Sequence, residues 1–327
     1  MRKTFIRSIL SVTILLSLAG SANAQIGLDK EYVEPSGWSL GTSIGMSDLW
    51  GDVGTQNIID HYGNPEYFKK PCFMGGMFIR YSFHPSFAAR LGGYYGTLYA
   101  TDMWNKQKAE KASNIETDAY QRYLRNLSVR SNIWEGSLLF EIAPFRFNPL
   151  SNRAIKRFQP LLLLGVAAMH FNPQAELIER ETRINRGYVN LYDLHIEGDG
   201  MPGSIYPNAP AKYELWQITV PMGLGVRWDI GRRLSFGVEW LYRYTFTDYL
   251  DNVSGQYINP AKYSQYLPAD KAYAAAQLQD KTWLINEHVE PHGEGQQRGN
   301  PSVKDAYSTF GFTLIFKVPS KKTPWWY

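Results

Sequence analysis

The chain has 327 residues and a formal charge of +4, three positive charges of which (Arg2, Lys3, Arg7) sit in an acid-free leader, so the remainder is near +1. That balance excludes a strongly basic nucleic-acid-binding domain. The one cysteine, Cys72, excludes a disulfide framework and a thiolate metal site.

The leader reads as a secretory signal peptide over residues 1–24. A basic start is followed by an apolar stretch from Ile9 to Leu18 and by Ala22-Asn23-Ala24, which supplies small residues at the cleavage site. The remaining residues, 25–327, are expected to form one exported domain. After the leader no run of about 20 apolar residues follows, so no transmembrane helix is predicted.

Beyond it, apolar residues recur at every second position, the period of a β-strand whose side chains alternate between two faces. The predicted strands are Trp38–Met46, Phe73–Phe83, Phe87–Tyr99, Val129–Ile142, Phe158–Phe171, Trp216–Trp228, Leu234–Phe246 and Tyr307–Val318. The sixth and seventh give the clearest pattern. Trp216, Ile218, Val220, Met222, Leu224, Val226 and Trp228 alternate with small or polar residues, and so do Leu234, Phe236, Val238, Trp240, Tyr242, Tyr244 and Phe246. The fifth is apolar almost throughout, so its faces cannot be assigned from the pattern.

The connections alternate in length. His84–Ser86 and Ile230–Arg233 are short and Pro144–Arg157 is of medium length, whereas 47–71, 100–128, 172–213 and 248–305 are long. Short helices are expected within two of the long ones, over Ala269–Asp280 and Tyr120–Leu127. A soluble sandwich or lipocalin-like barrel also alternates. The long-short rhythm, the aromatic strand ends and the small residues on the opposite face favour an all-β, antiparallel up-and-down transmembrane β-barrel of about eight strands. Such a chain belongs in the outer membrane of a Gram-negative cell, with outer-membrane lipid around it, short turns in the periplasm and long loops outside.

The face opposite the apolar one carries Arg80, Arg90, Glu135, Glu141, Arg227, Asp229, Glu239 and Arg243. Both signs occur and an isolated buried charge is costly, so these residues are expected to form an interior charge network that fills a narrow lumen. His288 and His292 have the spacing of a helical metal pair, but Pro291 between them breaks the helix. Asp248, Asp251 and Ser254 form no spacing diagnostic of a catalytic triad. No catalytic, metal-binding or cofactor-binding residue and no cofactor is therefore assigned. The presumed periplasmic turns and tail hold Arg146, Arg153, Lys156, Arg157, Arg232, Arg233, Lys317, Lys321 and Lys322 without an acid among them. This basic rim is expected to meet anionic headgroups or an acidic periplasmic partner.

Several runs together carry a family resemblance: Gly37-Trp-Ser-Leu-Gly-Thr-Ser-Ile-Gly45, Phe83-His-Pro-Ser86, Ser131-Asn-Ile-Trp-Glu-Gly136, Pro221-Met-Gly-Leu-Gly-Val-Arg227, Thr247-Asp-Tyr-Leu-Asp-Asn-Val-Ser-Gly255 and Arg298-Gly-Asn-Pro301. The chain resembles the PorG-like outer-membrane proteins of the type IX secretion system, small β-barrels of the OmpA/OmpX-like class. The resemblance implies a non-enzymatic protein that associates with the periplasmic ring of the lipoprotein PorK and PorN and is needed for protein secretion, in some relatives also for gliding. The alternative expectation is a general surface barrel for adhesion or ligand binding through its extracellular loops.

Overall fold

The computed structural model describes residues 37–55, 61–62, 67–112, 114–144, 158–230 and 233–318. The predicted signal peptide lies outside these, as do Arg146, Arg153, Lys156, Arg157, Arg232, Lys321 and Lys322.

Among the described residues nine strands follow one another: β1 (Gly37–Trp50), β2 (Phe73–His84), β3 (Phe87–Thr101), β4 (Ser128–Ile142), β5 (Phe158–Ile178), β6 (Asn185–Asn190), β7 (Trp216–Asp229), β8 (Leu234–Thr245) and β9 (Ala306–Lys317). All but β6 pair antiparallel with both neighbours, and β1 pairs with β9, so eight strands close into a barrel. Closure leaves the eight barrel strands without an unpaired edge, which is what lets strands cross a membrane. The closing seam needs glycine: Gly45 stands opposite Gly311, and a Cβ on Gly45 would lie 2.6 Å from the Phe310 carbonyl oxygen and 2.7 Å from the Gly311 Cα.

Alternation fixes which face is which. Outward residues such as Met77, Trp134, Trp216 and Ile218 are 60 to 73% exposed, whereas Arg90, Glu141, Arg227 and Arg243 on the opposite face are at most 2% exposed. A wide exposed apolar belt over a buried polar interior is the inverse of a soluble barrel, and it identifies the transmembrane kind.

On β5, where the pattern was ambiguous, the odd positions Leu161, Leu163, Met169 and Phe171 point inward, and Leu162, Leu164 and Val166 point to lipid. Both faces are apolar because the lumen itself changes character along its length. Its turn-end half is charged, while its loop-end half is lined by Met74, Leu98, Ile133, Met169 and Phe171, all buried in one hydrophobic cluster. β5 also runs seven residues past the predicted end and folds back as β6, which adds a short fin to the wall beyond the barrel rim.

The long connections pack together at one end as a cap. It contains α1 (Lys106–Glu110), α2 (Asp118–Arg125), α3 (Ala261–Tyr266) and α4 (Ala269–Gln279). α4 occupies the predicted stretch. α2 starts two residues before the predicted one and stops at Asn126, whose φ of 55° is the left-handed cap that asparagine tolerates. The cap's core includes Leu191, Leu194, Ile196, Leu250, Ile258 and Leu278 and is continuous with the apolar half of the lumen. The described parts of the connections thus form one packed layer over the barrel mouth.

Candidate functional site

From the turn end upward the lumen holds three ionic groups, the lower two linked through Gln159 and Arg227. Lowest is Asp229, which accepts from the Lys317 ammonium at 2.8 Å, Ser235 Oγ at 2.5 Å and Gln159 Nε2 at 3.1 Å. Gln159 Oε1 in turn accepts from Arg227 Nη2 at 2.9 Å. Above it Glu141 gathers three guanidinium groups: Arg80 Nε at 2.8 Å, Arg227 Nη1 at 2.8 Å, and Arg90 Nε. Arg90 also makes a two-pronged bond to Glu239, at 2.9 and 2.6 Å, and lies over the Phe78 ring at 4.6 Å. Highest is Glu135, which is ion-paired with Arg243 Nε at 2.5 Å and accepts from Tyr307 Oη at 2.6 Å. Planar guanidinium forks suit such crowding because each shares its donors among several acceptors.

The structure brings all eight of the predicted interior charges into this column. It adds Lys317, Gln159 and Tyr307. Lys317 is a correction. Expected on the exposed basic rim, it is 2% exposed and ion-paired inside the barrel. The reason is parity: Thr313, Ile315 and Lys317 share the inward face of β9 while Phe312, Leu314 and Phe316 face lipid. Of the rim residues within the described stretches, Arg233 is exposed on the β7–β8 turn. A residual space of about 30 Å³ beside Arg90, Tyr94 and Glu239 is enough for a water or two.

The second polar cluster sits in the cap and ties the connections together. Arg125 donates to both Asp102 oxygens, at 2.8 and 2.9 Å, and to the carbonyls of Asp52 at 2.7 Å and Arg298 at 2.5 Å. Asp102 also accepts from the Gly54 and Leu127 amides. Arg298 bonds Glu197 Oε1 and the Asn252 carbonyl, both at 2.7 Å, and Glu197 accepts from the Ser254 and Gly255 amides. The Thr247–Gly255 and Arg298–Pro301 runs therefore meet in space as the keystone of the cap.

Beside them stand Asp52, Asp248, Asp251 and Asp305, all at most 5% exposed. Burial, reinforced by Asp52, pushes the Asp251 carboxyl up to about 7. Burial raises Asp248 to about 6, and burial with the Asp251 and Asp248 charges raises Asp305 well above the usual carboxylate range. Their backbone partners fix the geometry: Asp251 accepts from the Val53 and Val253 amides, and Asp305 from the Leu250 amide. Gly51 faces the gap between two of them, and a Cβ there would lie 2.5 Å from Asp251 Oδ2 and 2.9 Å from Asp305 Oδ1. Gly51→Ala is therefore expected to loosen the cap by about 1–3 kcal/mol while the barrel persists. Limited proteolysis should cut the cap connections faster in the variant while the unheated protein keeps its compact gel mobility. Equal cutting rates would contradict this packing.

The remaining predicted positions are structural. His292 docks its Nδ1 on Asp280 Oδ2 at 2.7 Å and stacks on Tyr257 at 4.6 Å, while His288 is exposed. Asp248 and Asp251 lie in the acid cluster, and Ser254 binds Glu197 through its amide. Sequence reading missed the cap itself. Its signal was the apolar and aromatic content of the connections, among them Trp104, Leu194, Ile196 and Trp283, which exposed loops do not need.

No family model and no curated protein matches the chain. Among solved structures it is similar to the Neisserial surface protein A, at 6% identity over 86% of this chain and 98% of that one, with a TM-score of 0.35. Similar too are Ail, the attachment invasion locus protein of Yersinia pestis, solved with the heparin analogue sucrose octasulfate (7% identity, 86% and 98% coverage, TM-score 0.34), and the N-terminal β-barrel domain of Pseudomonas aeruginosa OprF (8%, 86% and 98%, 0.30).

Proposed function

We propose that this protein is a non-enzymatic outer-membrane barrel that works through its two end surfaces, as a component of a type IX secretion machine. The observation that carries the first part is the lumen. Among the described residues the lumen is occupied by mutually paired charges and its mouth is covered by the packed connections, which favours a role at the ends over conduction. In this reading the cap faces outside and the turn end faces the periplasm.

The secretion role rests on the sequence runs given above, and the basic residues of the short connections would suit an acidic partner surface on a periplasmic ring of PorK and PorN. Replacing Arg146, Arg153, Arg157, Arg232 and Arg233 by Glu is expected to release the ring from the tagged barrel on mild detergent extraction, with the compact gel form unchanged. Ring recovery at the wild-type level would remove the turn end from the interface.

The cap favours a second reading, a surface barrel that binds a ligand or another cell through its outer face. An exposed loop needs no core, whereas this cap has a packed one and two arginine clamps. Excising 261–279 should then abolish binding at the cell surface without affecting any ring association.

A further inference from the structure

The apolar belt ends at a sharp boundary on the β3–β4–β5 wall. Tyr95, Trp134, His170 and Trp216 stand in direct register across four strands on the outer face. The Tyr95 and Trp134 rings lie 4.5 Å apart, and those of His170 and Trp216 5.2 Å apart. Such a row marks a membrane–water interface.

The wall does not stop there. β4 begins six residues further out, and β5 continues to Ile178 with β6 at its side. The next outward rows are polar: Asn132 opposite Asn172, then Arg130 opposite Gln174, which pairs in turn with Asn190. Each row stands about 7 Å beyond the last along the strand. The amides are held in place, since Asn190 Oδ1 accepts from Asn172 Nδ2 at 3.1 Å and Gln174 Nε2 at 2.7 Å.

Two cations flank this ladder on aromatic supports. The Arg130 guanidinium lies 5.4 Å from the Tyr188 ring centre, and the Lys70 ammonium 5.2 Å from that of Tyr99. Lys70 is more than half exposed and 3.7 Å from Glu176, an acid that also lies near the buried Lys281. The facet is therefore cationic, amide-rich and rigid, and it is continuous with the lipid-facing belt just below.

We propose that this facet binds a phosphorylated glycolipid of the outer leaflet. The acyl chains would lie against the belt, Lys70 and Arg130 would meet the phosphate, and the Asn172–Asn190–Gln174 ladder would meet sugar hydroxyls. Charge selects an anion. The fixed amides above the interface select a headgroup with many hydroxyls over a simple phospholipid, which has nothing at that height to satisfy them. The inference rests on the proposed orientation, with the cap outside.

The test is a titration of fluorescent lipopolysaccharide against the full-length barrel in phosphatidylcholine vesicles. The Lys70→Glu, Arg130→Glu double variant is expected to bind at least about tenfold more weakly. A charge-matched control, Lys106→Glu with Lys111→Glu in the cap, should bind like wild type. Unlabelled lipopolysaccharide should compete, and its dephosphorylated form, phosphatidylglycerol and inorganic phosphate should compete at least about tenfold less well. The proposal is overturned if the double variant binds like wild type, if the control loses as much, or if phosphatidylglycerol competes equally. Orientation is read separately. In a Cys72→Ser background, the Val303→Cys variant should react with an impermeant maleimide on whole cells. Failure there sinks the orientation even where the vesicle binding holds.

Discussion

Glu141→Gln is expected to cost the barrel about 3–5 kcal/mol, the largest effect of any single substitution in the lumen. The carboxylate stands among Arg80, Arg90 and Arg227, and each donates to it directly. Glutamine keeps the shape and one acceptor oxygen but removes the charge, leaving three guanidinium groups packed against one another with little water to screen them. Arg90 retains Glu239 and Arg227 retains Gln159, but Arg80 loses the carboxylate that its Nε bonds. The measurement is the urea midpoint of folding in detergent, with the compact unheated band on a gel as readout. Arg233→Glu on the exposed turn serves as reference and should stay within about 0.5 kcal/mol of wild type. A Glu141→Gln midpoint equal to that reference would mean that the network is ornamental to stability.

The second large effect is a dependence of the cap on pH. Asp251, Asp305 and Asp248 hold their protons in the folded cap to higher pH than in the unfolded chain. Folded protein therefore binds more protons between the ordinary carboxylate range and about pH 7, and stability falls as pH rises through that window. For Asp251, raised from 3.8 to about 7, the loss between pH 5 and pH 8 is roughly 2–3 kcal/mol. Arg125, Lys304 and Arg122 pull the other way on members of the cluster, and Asp52 and Glu197 add to the rise. Amide protection factors of the cap, which divide out the intrinsic exchange rate, should drop from pH 5 to pH 8 while those of the barrel strands hold. Asp305→Asn keeps an acceptor for the Leu250 amide and places a donor beside Asp251, so it should raise protection at pH 8. Protection that is flat with pH, or lower in the variant at pH 8, would refute the account.

The two clusters differ in how much of them was written in the chain. The lumen column was legible because period two assigns a face residue by residue. Once Trp228 and Phe236 are outside, Arg227, Asp229 and Glu239 are inside. Lys317 obeyed the same rule. Phe312, Leu314 and Phe316 already placed it inward, and counting it with the basic tail set local charge composition above parity. β5 was illegible for the opposite reason, since a strand with lipid on one side and an apolar plug on the other carries no contrast to read.

The sequence by itself determined the eight barrel strands, the faces of all but β5 and the alternation of short and long connections, because alternation is a local consequence of side chains pointing to either side of an extended backbone. The cap was decided by tertiary structure alone. Asp52, Asp102, Arg125, Glu197, Asp251, Arg298 and Asp305 come from four separate connections, and no periodicity links residues whose contacts are made only when the barrel has brought those connections to one rim. The same holds for the facet above the aromatic row. Arg130, Gln174 and Asn190 become neighbours through strand register, which closing the barrel fixes and no single segment encodes.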